Sequence, residues 1–337
     1  MKKMSRFLSL ILLLVYSFSL QAANRGLELR KVNTPDSIVQ GEYRALIIGN
    51  NRYNDAAGQW KPLNTAVSDA DSVANMLQKE YGFTDVNILR DANRSEVLKA
   101  LNELEARLNA NDSVLVYYAG HGYLDESSSR GYWIPVDANS DDPASYLRNS
   151  TIRDEMSIIA RKAKHTLLIS DSCFSGSLLR RGGSPIVPKT TGSRYYKKVA
   201  NKKSVQIMTA GGVEYVDDDF RRSGHSPFTY FLLNELKHND KKMVTASEIS
   251  SNVIKAVANN VSQLPESGVL QGAGDELGEF IFVRVKLDVD VKGVPREKIK
   301  VIVDVNNAEK ITEHNPVPQS LDQNTDMSPR FMPLPTF

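Results

Sequence analysis

Short apolar runs alternate along this chain with longer segments whose apolar residues recur every three or four positions. The alternation begins near residue 43. Arg44-Ala-Leu-Ile-Ile-Gly-Asn50 is almost wholly apolar and closes on Gly and Asn, the pattern of a strand buried on both faces of a sheet. Asp85-Val-Asn-Ile-Leu89, Ser113-Val-Leu-Val-Tyr-Tyr-Ala119, His165-Thr-Leu-Leu-Ile-Ser170, Val205-Gln-Ile-Met-Thr209 and Gly278-Glu-Phe-Ile-Phe-Val283 are predicted strands of the same kind. Between them, Ala66, Ala70, Val73, Met76 and Leu77 share one helical face, and Val97, Leu98, Leu101, Leu104 and Leu108 share another. The spacing also predicts helices over 152–163, 227–236 and 246–261, with a hairpin around 132–136. Strands that alternate with amphipathic helices predict an α/β fold, a mostly parallel six-stranded sheet with helices on both faces.

In such sheets, sites form beyond the carboxyl ends of the strands. His121 and Cys173 each stand just past a predicted strand, in Ala119-Gly120-His121-Gly122 and Asp171-Ser172-Cys173-Phe174-Ser175-Gly176. Each has a bland alternative, a satisfied loop histidine and a small core thiol. Together they match what thiol catalysis needs: a sulfur that can lose its proton and an imidazole to carry it.

The ends of the chain look different. Lys2, Lys3 and Arg6 precede an apolar run over 7–20, and Ala22 and Ala23 follow, which is the layout of a secretory signal peptide over 1–22. That run is shorter than the ~20 residues a spanning helix needs. The expectation is therefore an exported protein, periplasmic or secreted, with no stable membrane association once the signal is cleaved. The formal net charge of +2 belongs to that segment; without its three basic residues it becomes −1. No nucleic-acid partner is expected. With one cysteine, no internal disulfide can form, so the fold must rest on its core. Residues 23–42 read as a leader, 176–203 as an exposed basic loop, 284–305 as a small strand pair, and 306–337 as a disordered tail.

Ala45-Leu-Ile-Ile-Gly-Asn50, Ser68-Asp69-Ala70, Tyr117-Tyr-Ala-Gly-His-Gly122, Ile134-Pro-Val-Asp137 and Asp171-Ser-Cys-Phe-Ser-Gly176 together resemble the caspase-like cysteine peptidases of the C14 group, and the metacaspases most closely. The histidine precedes the cysteine by 52 positions, near the separation of ~50 in caspases. The resemblance covers about residues 43–283 and implies a caspase-like three-layer sandwich. It further implies His121 and Cys173 as a dyad, the N–H groups of Gly122 and Cys173 as an oxyanion hole, and hydrolysis of polypeptides through a thioester. Asp69 and Asp171 correspond to pocket acids that would favour Arg or Lys at the cleaved position. Each also has a structural role open to it, Asp69 as a helix cap and Asp171 as a turn holder.

This chain departs from many metacaspases at Ala66, where a cysteine is common, and at Phe174, where a histidine is. Calcium activation is common in the group, but Asp217-Asp218-Asp219 reads as a solvated acidic turn, so no metal and no cofactor is assigned. The expected state is a monomer. Basic residues in 176–203, such as Arg180 and Arg181, offer sites for self-cleavage. The rival readings are a catalytically silent caspase-like module for binding or scaffolding, and an esterase using the same thiol.

Overall fold

In the structure, a computed structural model, residues 39–173, 178, 192–211, 218–270 and 272–285 are described. The expected signal segment and tail, most of the expected leader, about half of the expected basic loop and all but the first two residues of the expected strand pair lie outside them.

Six strands form the main sheet: β1 (Tyr43–Gly49), β2 (Asp85–Arg90), β3 (Ser113–Ala119), β7 (His165–Asp171), β8 (Ser204–Thr209) and β10 (Glu266–Val269). Their order is β10-β8-β7-β3-β1-β2, and all neighbours are parallel except β10 with β8. Every residue of β3 and β7 is buried, as expected of central strands covered on both faces.

Side chains leave these strands alternately for two cores. Ala45, Ile47, Leu115 and Tyr117 pack with helices α1 (Ala66–Glu80), α5 (Pro227–His238) and α6 (Ala246–Ala258) through Val73, Leu77, Phe228, Leu232, Ile249 and Val253. Leu46, Ile48, Val114, Val116 and Tyr118 pack on the other face with α2 (Arg94–Ala106) and α3 (Asn149–Lys162) through Val97, Leu101, Leu104, Ile152, Met156 and Ile159. Each such side chain, fully buried, contributes about 1.5–3 kcal/mol. No disulfide is needed to hold such a sheet.

A small antiparallel sheet of β4 (Gly122–Asp125), β5 (Arg130–Trp133) and β6 (Leu147–Arg148) follows directly from β3. It is fastened back by Trp133, whose ring stacks on Tyr118 at 4.2 Å with 7° between planes and whose Nε1 donates to Ser170 Oγ.

Two sequence expectations need correction. The sixth strand of the sheet is β10, and the run expected there, 278–283, supplies β11 (Ile281–Val283), which pairs antiparallel with β9 (Met243–Thr245). Phe280 and Phe282 are drawn into the core beneath α1, while Ile281 and Val283 pack with Tyr196 and Ala200. Those two residues belong to α4 (Ser193–Ala200), a helix lying within the segment read as an exposed loop. Tyr196 and Ala200, four positions apart, bury one narrow stripe, Tyr195 and Val199 are half-buried beside it, and Arg194, Lys197 and Lys198 are exposed.

Candidate active site

Strand register brings His121 and Cys173 to the same level. Ala119 of β3 is paired with Asp171 of β7, and each catalytic candidate lies two residues farther on. The pairing continues past the strand end, where Gly120 N donates to the Asp171 carbonyl at 3.3 Å. Beyond it the two chains touch: a Cβ built on Gly122 would overlap the carbonyl oxygen of Cys173. Only a glycine permits that approach. Cys173 is half-buried, and Ser172 before it bonds to Ser170 Oγ at 3.0 Å.

His121 is held on several sides. Its Nε2 lies 2.7 Å from the Lys61 carbonyl oxygen. A carbonyl can only accept, so Nε2 carries the proton and Nδ1 is the lone-pair nitrogen of the neutral ring. The ring packs between Tyr53, 4.6 Å between centroids, and Trp60, at 5.9 Å. His121 N donates to Tyr53 Oη at 2.8 Å, and its carbonyl accepts from Tyr118 Oη at 2.9 Å. Burial lowers its proton affinity below the usual imidazole range, with the Lys61 carbonyl and the charge of Asp218 acting in the opposite sense. A ring that is neutral near pH 7 can accept a thiol proton.

Tyr53, Trp60 and Lys61 all come from the loop between β1 and α1, which three carboxylates pin in place. Asp91 accepts from Asn51 N and Arg52 N, and Asp55 accepts from Gln59 N and Trp60 N. Asp218 accepts from Asn64 N and Nδ2, both at 2.7 Å, and from Thr65 N and Oγ1. Asp218 is thus committed to fastening the start of α1, where the acidic run was expected to be a solvated turn.

Asp69 and Asp171 converge on the start of α5. Asp69, 1% exposed, accepts from His225 Nδ1 at 2.6 Å and from Ser226 N at 3.2 Å. Its side chain does not cap its own helix, because it sits on the first turn of α1 facing inward. Asp171 Oδ2 accepts from Ser226 Oγ at 2.5 Å and Thr229 Oγ1 at 2.6 Å. Ser226 is the N-cap of α5, followed by Pro227, so both acids face the partial positive charge of a helix start. Burial, and then the charge of Asp69, push Asp171 up to about 7. Burial also raises Asp69, opposed by His225 and Ser226.

A model of the caspase domain, Peptidase C14, matches residues 42–270, well over half of the chain. The chain belongs to the caspase-domain peptidase family. Metacaspase-1 of Eremothecium gossypii is 27% identical over 173 residues, covering 44% of this chain and 35% of that protein. Metacaspase-1B of Aspergillus niger is 26% identical over 187 residues, covering 50% and 40%. The match therefore spans at most two fifths of these relatives' length. The crystal structure of caspase-1 from Spodoptera frugiperda aligns with a TM-score of 0.49 and 16% identity, over 71% of this chain and 91% of that one.

Within this caspase-domain protein, the sequence pointed to His121, Cys173 and the two acids as candidates but not to the groups that support them. Lys61 acts through its backbone carbonyl, which no side-chain motif can announce. His225 stands in Gly224-His225-Ser226-Pro227, where Ser before Pro is a legible helix start, but nothing local ties the histidine ahead of it to Asp69.

Proposed function

We propose that the protein is a cysteine-type endopeptidase that uses Cys173 as nucleophile and His121 as general acid and base. The observations that carry this reading are the Nε2 contact to the Lys61 carbonyl, which leaves Nδ1 free to act as the base, and the close approach of Gly122, next to His121, to the Cys173 backbone. In the first step the Cys173 proton moves to His121 Nδ1 as sulfur bonds to the substrate carbonyl carbon. The N–H groups of Gly122 and Cys173 are the proposed donors to the developing oxyanion. The imidazolium then protonates the leaving amine as the C–N bond breaks, giving a thioester. Water, deprotonated by the same nitrogen, hydrolyses it and restores the thiol. This chemistry needs no cofactor.

The two acids beside this site support cleavage after Arg or Lys, since a buried carboxylate pair favours a cationic side chain through charge-assisted hydrogen bonds. The N-terminal pattern supports export, and the substrate class is polypeptide, handled by a monomer. The test is a panel of peptides ending in Arg, Lys, Asp or Gln before a reporter group. Wild type is expected to release reporter from the Arg and Lys peptides, and Cys173→Ala and His121→Ala to lose at least about 10³-fold in kcat while staying folded. Equal turnover by wild type and Cys173→Ala ends the proposal.

A further inference from the structure

Beside the acid pair stands a titratable group that the proposed chemistry does not use. His225 lies just ahead of α5, its Nδ1 2.6 Å from Asp69 Oδ1, its side chain 23% exposed against 1% for the acid. The backbone that delivers it takes an unusual path. Arg221 and Arg222 have φ of 51° and 59°, and Gly224 of 75°. Left-handed backbone is disfavoured for residues that carry a Cβ, and two in succession persist only where surrounding bonds fix them. Here Ser68 Oγ donates to the Gly224 carbonyl, Gly224 N donates to Asp219 Oδ1, and Phe220 N donates to the His225 carbonyl. A path maintained against its own preference ends by setting an imidazole against a buried carboxylate.

The two acids are not equivalent as a result. Asp69 already has a cationic partner available on its own chain. Asp171 has both of its hydroxyl donors on Oδ2, and its Oδ1 is buried without a hydrogen bond among the described residues.

We infer that His225 sets specificity in this pocket: its imidazolium stands at Asp69 in place of a substrate's basic group, leaving Asp171 Oδ1 as the attachment point, and its protonation governs how tightly Arg or Lys is held. This rests on the reading of Asp69 and Asp171 as a pocket for basic side chains. The charges facing His225 are Asp69 from α1 and Asp219 from its own turn, with Asp171 beyond Ser226 and Asp218 at the start of α1. Arg221 turns away, donating to Asn260 Oδ1. The hydrogen bond to Asp69 raises the proton affinity of His225 above the usual range, opposed by its partial burial and aided by the charges of Asp69 and Asp219. While protonated, it cancels one negative charge of the pocket and repels an incoming cation. Once neutral, it releases Asp69 to attract one. Affinity for a cationic side chain therefore rises with pH through this transition, and a neutral side chain of the same shape is indifferent to it.

Binding to the full chain carrying Cys173→Ala separates these effects, using one peptide ending in Arg and its citrulline counterpart. The Arg peptide is expected to bind about tenfold tighter at pH 8 than at pH 6, as one nearby charge allows, and the citrulline peptide equally at both. His225→Gln keeps a donor for Asp69 but no charge; it should bind the Arg peptide about fivefold tighter than its parent at pH 6 and alike at pH 8. His225→Asn serves as a second variant of the same kind. The slope that survives in these variants belongs to Asp171. An unchanged pH curve in both variants, or a parallel shift with citrulline, overturns the role of His225 while the Arg preference stands. Absence of any Arg preference in the parent overturns the pocket and this inference together.

Discussion

His121 and the acid pair sit at the same end of one sheet, yet they are fixed by different means. His121 is oriented by backbone groups and ring packing: the Lys61 carbonyl on Nε2, Tyr53 on its N–H, and a glycine contact with Cys173. None of these partners changes charge near neutral pH. Asp69 and Asp171 are held by His225 and by hydroxyl and backbone donors at the start of α5, while the charge of Asp69 opposes ionisation of Asp171. The supports of the first region are backbone groups and a phenol, and those of the second include groups that exchange protons. The difference suits the proposed division, in which one region would perform the chemistry and the other would select what is cleaved.

The most severe way to break the first region is Gly122→Ala. A methyl there meets the Cys173 carbonyl oxygen, so the His-Gly turn and the cysteine turn must separate. A displacement near 1 Å at reacting groups costs about 10²-fold, and kcat/KM on the Arg peptide should fall by that much. Overpacking should also lower stability by about 1–3 kcal/mol. Near wild-type kcat/KM with an unaltered melting temperature would show that the two turns do not depend on this contact.

A milder probe is Asp218→Asn. One amide oxygen cannot replace two carboxylate oxygens that accept from Asn64 and Thr65, so the loop carrying Lys61 loosens. A roughly tenfold fall in kcat/KM is expected from the imperfect alignment. The charge of Asp218 raises the proton affinity of His121, so its removal should move the acid limb of the kcat/KM profile to lower pH. A purely structural role predicts the fall without the shift of the limb.

Why some of this was legible and some not follows from where each residue gets its instructions. β3 and β7 are apolar along their whole length because both faces are covered, and such runs announce themselves. β10, Glu-Ser-Gly-Val at the sheet edge, is too short and polar to stand out, and the apolar run at 278–283 took its place in the reading. In α4 only Tyr196 and Ala200 are buried, too few to show a period. The candidates His121 and Cys173 stood out because they follow two such strands. His225 did not, because its partner Asp69 lies 156 positions earlier and nothing local records the pairing.

The smallest expected effect bears on the acid pair and runs opposite to activity. Asp171 is raised to about 7 in the fold by burial and by Asp69, against ~3.9 for a free aspartate. Between those values the folded chain binds the proton that the unfolded chain has released. Stability therefore falls as pH rises from about 4 to 7, and the whole penalty is present above that window. Asp171→Asn still offers an oxygen to Ser226 and Thr229 but carries no charge to bury. Wild type and variant should melt alike near pH 4, where both side chains are neutral. By pH 8 the variant should melt higher by a few °C, on the order of 1–2 kcal/mol for a domain of this size. The same substitution should erase the preference for Arg, since the open carboxylate oxygen is gone. Equal melting temperatures across the range would mean that the second region bears no stored electrostatic cost. If Asp171 serves the proposed pocket, a gain in stability should come paired with a loss of Arg recognition.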